Sequence, residues 1–222
     1  MEKRGNQKKT DLAVEWTDKK ETLSAEDEPI LTYEIHLPKL EGRGSAPSRI
    51  NRCYQKTACV WERRWKEQVF SVADRERQEK RAVSRQFLTW HAWIKGEITE
   101  LNEDILSVRM EAGEIRGNGR PCLMCWGEIW DLTTGTPRPA RDFFPGRRKW
   151  RREVLPKILE QGRSRRAAGD CFLDRGWEEN VGKQILWREP CLTEKGLEFY
   201  LPQCTLTPAA EGVPVFEVPF AE

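Results

Sequence analysis

The sequence predicts an α+β fold: antiparallel sheet packed against one long amphipathic helix and a second helix towards the C-terminus, in two abutting subdomains. Three observations carry this. Apolar or small residues recur at Ile50, Cys53, Tyr54, Thr57, Ala58, Trp61, Trp65, Val69 and Val72, the spacing of one helix face, with Arg, Lys, Glu and Gln opposite. Leu106, Val108, Met110 and Ala112 alternate with Ser107, Arg109 and Glu111, the two-residue period of a half-buried strand. Gly196 to Phe220 reads as a strand with Leu197, Phe199 and Leu201 on one side, an irregular small-residue segment, and a last strand from Val213. A helix this long needs a sheet to cover its stripe, and a helix followed by a meander is an α+β arrangement.

In chain order, residues 1–28 are polar and Lys/Glu-rich and are expected to form a disordered or weakly ordered tail. A first subdomain is expected over 29–118 and a second over 119–222. Leu31, Tyr33, Ile35 and Leu37 line one face of a first strand, which Pro38 and the 42–47 loop end. Ser48 is the expected N-cap of the long helix, about residues 49–81. Residues 87–98 read as a strand carrying Trp90, His91 and Trp93, and residues 101–104 as a turn. The alternating strand follows, then a turn at Gly117–Gly119, then a third strand over 123–131 with Met124, Trp126 and Trp130 on one face. A basic helix is expected over 147–161 with Trp150, Val154 and Ile158 inward and Pro156 kinking or dividing it. A short helix near Trp177, a strand at 185–187 and a hairpin turn at 193–196 complete the order.

At 222 residues the chain can bury a sizeable core. No apolar run approaches the ~18 residues of a membrane helix, and the first residues hold no apolar signal region, so the chain as given reads as cytoplasmic. Its seven cysteines are odd in number and scattered, which argues against a secreted disulfide framework and for reduced packing residues. Net charge is +2 but uneven. From Arg138 to Arg166 eleven Lys/Arg face three acids, an excess of eight, leaving −6 for the remainder. Such asymmetry can mark a polyanion-binding face.

Motifs that would carry chemistry are weak. Cys122 and Cys125 form a lone CxxC. A structural zinc site needs two further ligands at matching spacing, and i and i+3 on a strand face opposite sides, so no metal is assigned. His36 and His91 are the only histidines, each in strand-like sequence, and no nucleophile elbow, zinc-protease helix or phosphate loop accompanies them. Glu97, Glu100, Glu103, Asp104, Glu111 and Glu114 form an acidic region that reads as a solvated sheet face. No catalytic residue and no cofactor follow, and the chain is read as no enzyme.

Two segments are candidate binding sites. The first comprises Thr205, Thr207, Pro208, Ala209, Ala210, Glu211 and Gly212, a loop between two strands suited to presenting backbone groups to a protein partner. The second, an alternative, is a polyanion face of Arg147, Arg148, Lys149, Arg151, Arg152, Arg163, Arg165 and Arg166, which would track phosphates while Trp150 stacks on a base. The competing reading makes this a solvated helix face with Trp150 in the core.

Four stretches together resemble a known family. They are INRCYQKTACVWERRW from Ile50, NEDILSVRMEAGE from Asn102, WGEIWDLTTGTPRPARDFF from Trp126, and GLEFYLPQCTLTPAAEGVPVFEVPF from Gly196. The run is similar to the bacterial domains of unknown function in the anti-sigma factor RsiV and, as the N-terminal half, in the peptidoglycan deacetylase PdaC. Asp131 to Gly135 and Asp142 to Phe144 match the family's mid-motif; Leu197, Phe199, Tyr200, Pro208, Ala209, Ala210, Gly212, Pro214 and Pro219 match its tail. The resemblance covers about residues 30–220. It implies an extracellular α+β sensor or binding module without catalytic machinery, its partner a protein such as lysozyme or a cell-wall component. Gln203-Cys204-Thr205 replaces the family's Pro-Tyr-Glu element, and Pro208 stands where an aromatic precedes its Ala-Ala-Gly.

Overall fold

A computed structural model of the chain describes residues 13–144 and 148–220. Among these, nine strands form two sheets, and the fold is the expected mixture of helix and strand. The first sheet has six strands in sequence order: β1 (Val14–Ala25), β2 (Glu28–Leu40), β3 (Trp90–Leu101), β4 (Ile105–Ile115), β5 (Cys122–Asp131) and β6 (Thr136–Pro137). The second comprises β7 (Cys191–Leu192), β8 (Gly196–Tyr200) and β9 (Val215–Pro219). The expected subdomain division at 118/119 falls inside the β4–β5 hairpin, whose ladder runs unbroken from Glu114↔Cys122 to Ile105↔Asp131.

β1 corrects the tail expected over 1–28: Val14–Ala25 is a full-length edge strand, while residues 1–12 lie outside the described set. It lacks an apolar face, and its order comes from its neighbour. Register partners pair by chemistry: Lys20 with Glu34 at 2.7 Å, Lys39 with Glu15 at 2.9 Å, His36 with Asp18 at 2.6 Å, and Thr22 with Thr32 at 3.0 Å. Charged edges of this kind also discourage pairing with foreign strands. The turn residues Glu26 and Asp27 both adopt positive φ, 52° and 63°, as the tight two-residue hairpin demands.

The long helix runs as α1 (Ser45–Arg64), a π-helical turn (Trp65–Val69) and α2 (Phe70–Ala82). It starts earlier than expected, with Gly44 as N-cap; Ser48 lies inside and its Oγ donates to the Gly44 carbonyl at 2.9 Å. The π turn resets the buried stripe. After Trp65 the inward residues are Val69, Ala73 and Arg77, four apart, and Val72, expected inward, is 37% exposed. Because this helix connects β2 to β3, those strands run parallel, with Leu31↔Trp90 to His36↔Lys95 in register; all other pairs are antiparallel. The helix packs on the face presented by Tyr33, Ile35, Ile94, Leu106, Val108 and Met110, with Trp65 and Trp90 fully enclosed.

The opposite face of the first sheet meets the second. Gly127 N donates to Glu189 O at 2.8 Å, Leu192 N donates to Ser107 Oγ at 2.8 Å, and Thr99 Oγ1 donates to Leu192 O at 2.7 Å. Arg109 clasps Glu198 through the Nε and Nη2 edge of its guanidinium at 2.7–3.1 Å, and Tyr200 donates to the same carboxylate at 2.9 Å. Desolvation of such a pair is offset only by good geometry, which the bidentate clasp supplies.

Beyond the second sheet lie α3 (Trp150–Ala168) and α4 (Trp177–Gln184), which bury Val154, Ile158, Trp177 and Val181 against Leu197, Phe199, Phe216 and Val218. Pro156 sits within the continuous α3, in its second turn, and does not divide it. Residues 185–187, expected as a strand, turn instead: Leu186 N reaches Tyr200 O at 2.9 Å, and the Trp187 indole donates to Gly182 O at 2.8 Å. The C-terminal hairpin is as expected, with Leu197↔Val218 and Phe199↔Phe216 in register.

Candidate functional site

A mainly apolar recess lies in the groove between α1 and the outer edge of β5. β6 covers β5 only at Trp130 and Asp131, leaving the Leu123–Gly127 edge without a strand. Two clamps close that edge. The Gln203 side chain accepts from Leu123 N at 2.6 Å and donates to Pro121 O and Ala209 O at 3.1 and 3.0 Å, imitating a strand's amide. Glu189 O takes Gly127 N at the other end. Strand addition is thereby obstructed, and what remains is a recess of about 500 Å³ lined by Cys53, Val60, Trp61, Met124, Trp126 and Pro202. That volume lies in the range that encloses a small ligand or a large side chain.

Two lining residues are apolar and open to solvent: Val60 is 55% exposed and Met124 56%. Met124 belongs to the strand face of Trp126 and Trp130, as expected, but Trp130 alone of the three is buried. The polar walls are Lys56, Glu128 and Glu189. Glu128 Oε1 accepts from the Trp126 indole at 3.1 Å, and Oε2 is shielded without a partner. Burial raises its pKa above the usual carboxylate value, with the indole donor opposing. Burial likewise pushes the Cys125 thiol up to about 11, which makes it a poor nucleophile at neutral pH. A neighbouring recess of about 530 Å³, sharing Lys56 and Val60, is lined by Arg52, Gln55, Cys59 and Arg63, so the outer face of α1 is basic beside the groove.

The loop expected to meet a partner is split by the fold. Leu206 and Thr207 are buried, with Leu206 O accepting from Asp174 N at 2.9 Å. Pro208, Ala209 and Ala210 form an exposed tip, and Thr205, Glu211 and Gly212 are half-buried. Thr207 and Glu211 also line a recess of about 440 Å³ with Arg165 and Cys171. Through Gln203 the loop is tied to β5 and adjoins the groove. The sequence reading did not find the groove; its signal was apolar Val60 on the polar side of the helical stripe.

The polyanion set is not brought together. Arg148, Lys149, Arg151 and Arg152 cluster at the start of α3, and Arg147 lies outside the described residues. Arg165 and Arg166 are about 20 Å away along the helix at ~1.5 Å per residue. Arg163 pairs with Glu178, and Arg165 donates to Val215 O at 2.6 Å while covering the Phe216 ring. Trp150 is a core residue with Phe144 and Phe199 stacked at 5.5 and 5.9 Å, so its ring is not free to stack on a base.

The histidines and the acidic residues lie elsewhere on the first sheet. His36 holds Asp18 and stacks on Trp16 at 4.3 Å; His91 is exposed on β3. Glu111 accepts from the Trp93 indole at 2.7 Å, Glu114 pairs with Arg64 at 2.9 Å, and Glu97 with Arg109 at 2.7 Å. Among the described residues no three His, Cys, Asp or Glu side chains are placed to hold a metal ion, and no helix is long and apolar enough to cross a membrane.

These features define an α+β domain of two facing sheets with helices outside both. Its fold is shared with crystal structures of two members of DUF3298, a family of domains of unknown function. One is from Bacteroides fragilis, 13% identical, matching 95% of this chain and 91% of that one with a TM-score of 0.68. The other is from Pseudomonas aeruginosa, 11% identical, matching 94% and 91% with a TM-score of 0.57. At these identities the likeness is one of fold. No family model and no curated protein matches the chain.

Proposed function

We propose that the chain is a non-catalytic binding module of the RsiV-like sensor type, and that it takes a protein partner in the α1–β5 groove. The observation that carries the reading is a preformed apolar recess whose rim residues, Val60 and Met124, are left in water. Exposed apolar surface around a pocket marks an interaction site. The occupant we assign is a peptide segment with one large apolar anchor flanked by acidic residues. The anchor fills the recess, and the acids meet Arg52, Lys56 and Arg63 on α1. Gln203 and Glu189 hold the strand edge, so affinity comes from the anchor and not from strand addition.

Selection from a displayed random-peptide library tests this. Peptides enriched on the wild-type chain carry an aromatic or large aliphatic residue beside Asp or Glu, and they lose binding to a Val60→Lys/Met124→Lys variant. Failure to enrich, or enriched peptides that bind the variant equally, would refute the assignment.

A further inference from the structure

We propose that the surface around the start of α3 is a second binding site, for a compact phosphate-rich anion. A recess of about 660 Å³ is lined by Arg141, Arg148, Lys149, Arg151 and Arg152, with Asp142 as its one acid. A second recess, of about 450 Å³, shares Arg141 and Arg151 and adds Arg138 and Arg188. Elsewhere in the chain Arg64, Arg77, Arg81, Arg109 and Arg163 each hold a carboxylate. Here, among the described residues, the sole ion pair is Arg141 with Asp142 at 3.9 Å, the outer limit for such a contact. Seven cations therefore converge with almost no internal neutralisation.

Two features organise the cluster. Arg151 lies over the Trp150 and Trp187 rings at 5.5 and 5.4 Å, and Arg138 over Phe143 at 5.3 Å, so these guanidinium groups are held by aromatic faces with their N–H edges left for an acceptor. The cluster also surrounds the N-terminus of a nineteen-residue helix whose cap position, Lys149, supplies no side-chain acceptor. The first-turn N–H groups and the helix dipole add to the field that favours an anion. Glu153, in that first turn, is the opposing charge on α3.

The same geometry selects among anions. Trp150 is enclosed by Phe144 and Phe199, and Trp187 is covered by Arg151, so neither ring offers a platform for bases. Recognition is by charge and guanidinium forks alone, at one compact place and not along a track. Adjacent phosphate groups, as in an oligophosphate, fit this better than a single-stranded nucleic acid. The site is independent of the groove assignment and stands or falls separately.

Calorimetric titration of the full chain with tripolyphosphate tests it, beside a thymidine oligonucleotide. Tripolyphosphate is expected to bind at low ionic strength and to weaken as salt rises. Arg148→Ala/Arg152→Ala, both exposed positions, is expected to weaken binding about tenfold or more, since each lost charged hydrogen bond is of that order. Arg166→Ala, at the far end of α3, leaves it unchanged. No heat of binding for the wild-type protein at low salt would overturn the proposal. So would tighter binding of the oligonucleotide than of tripolyphosphate, or an equal loss from Arg166→Ala, since either describes a diffuse polyelectrolyte surface.

Discussion

Glu62 shows how single residues bind β1 to the helix. Its carboxylate takes Lys19 and Lys66, each at 2.7 Å, and the Tyr33 hydroxyl at 3.0 Å. The Lys19 hydrogen bond, then that of Lys66, lowers its pKa from 4.5 to about 2. A depressed carboxylate stabilises the fold above its unfolded pKa, and that stabilisation is lost as pH falls through the folded value. Urea midpoints of the wild type are therefore expected to fall between about pH 4.5 and 2, and those of Glu62→Gln to fall less over that window. Glu128 has the opposite sign. Its pKa is raised by burial, so the folded state binds the proton more tightly and stability declines as pH rises past 4.5. Glu128→Gln removes the unpartnered shielded oxygen's charge and is expected to raise the urea midpoint at pH 7. A lowered midpoint there would show that the charge is stabilised.

At the scale of elements, Gly127 governs how the two sheets meet. A Cβ at that position would overlap the Pro190 carbonyl and the Cys191 amide, so close backbone approach requires glycine. Gly127→Ala forces the 189–192 segment away from β5 and is expected to lower stability by about 1–3 kcal/mol, the ordinary cost of overpacking, read as a reduced urea midpoint. The elements that were legible in the sequence are those with strong internal periodicity: the long helix, β4, and the C-terminal hairpin. β1 was not, because its order resides in charges matched across the hairpin to β2, and no pattern within Val14–Ala25 reveals them. Its turn, Glu26-Asp27, also lacks the glycine that announces such hairpins. The β2–β3 parallel pairing escaped for a related reason: alternation marks a strand's faces but not its direction. The π turn was invisible too, and with it the shift of the inward stripe from Val72 to Ala73.

For the whole molecule, layering decides which surfaces remain for function. The first sheet is covered by α1 and α2 on one face and by the second sheet over much of the other, and α3 and α4 cover the second sheet. One surface that stays open is the seam where the helix, the β5 edge, the 186–189 turn and the 202–212 loop converge. A site assembled from four distant segments has no local signature, which is why the sequence pointed to the loop and not to the groove it adjoins. The basic excess between Arg138 and Arg166 was legible as composition. Its division into a converging cluster at one end of α3 and engaged side chains at the other required the fold.

The central claim is that the α1–β5 groove takes an apolar anchor flanked by acids. It is tested most directly by backbone amide chemical-shift mapping of the full chain with a library-selected acidic peptide. The account predicts shifts concentrated over residues 53–61 and 123–128, absent in the Val60→Lys/Met124→Lys variant. Shifts confined to the Pro208–Ala210 tip or to the outer face of β1, with the groove amides unmoved, would contradict it.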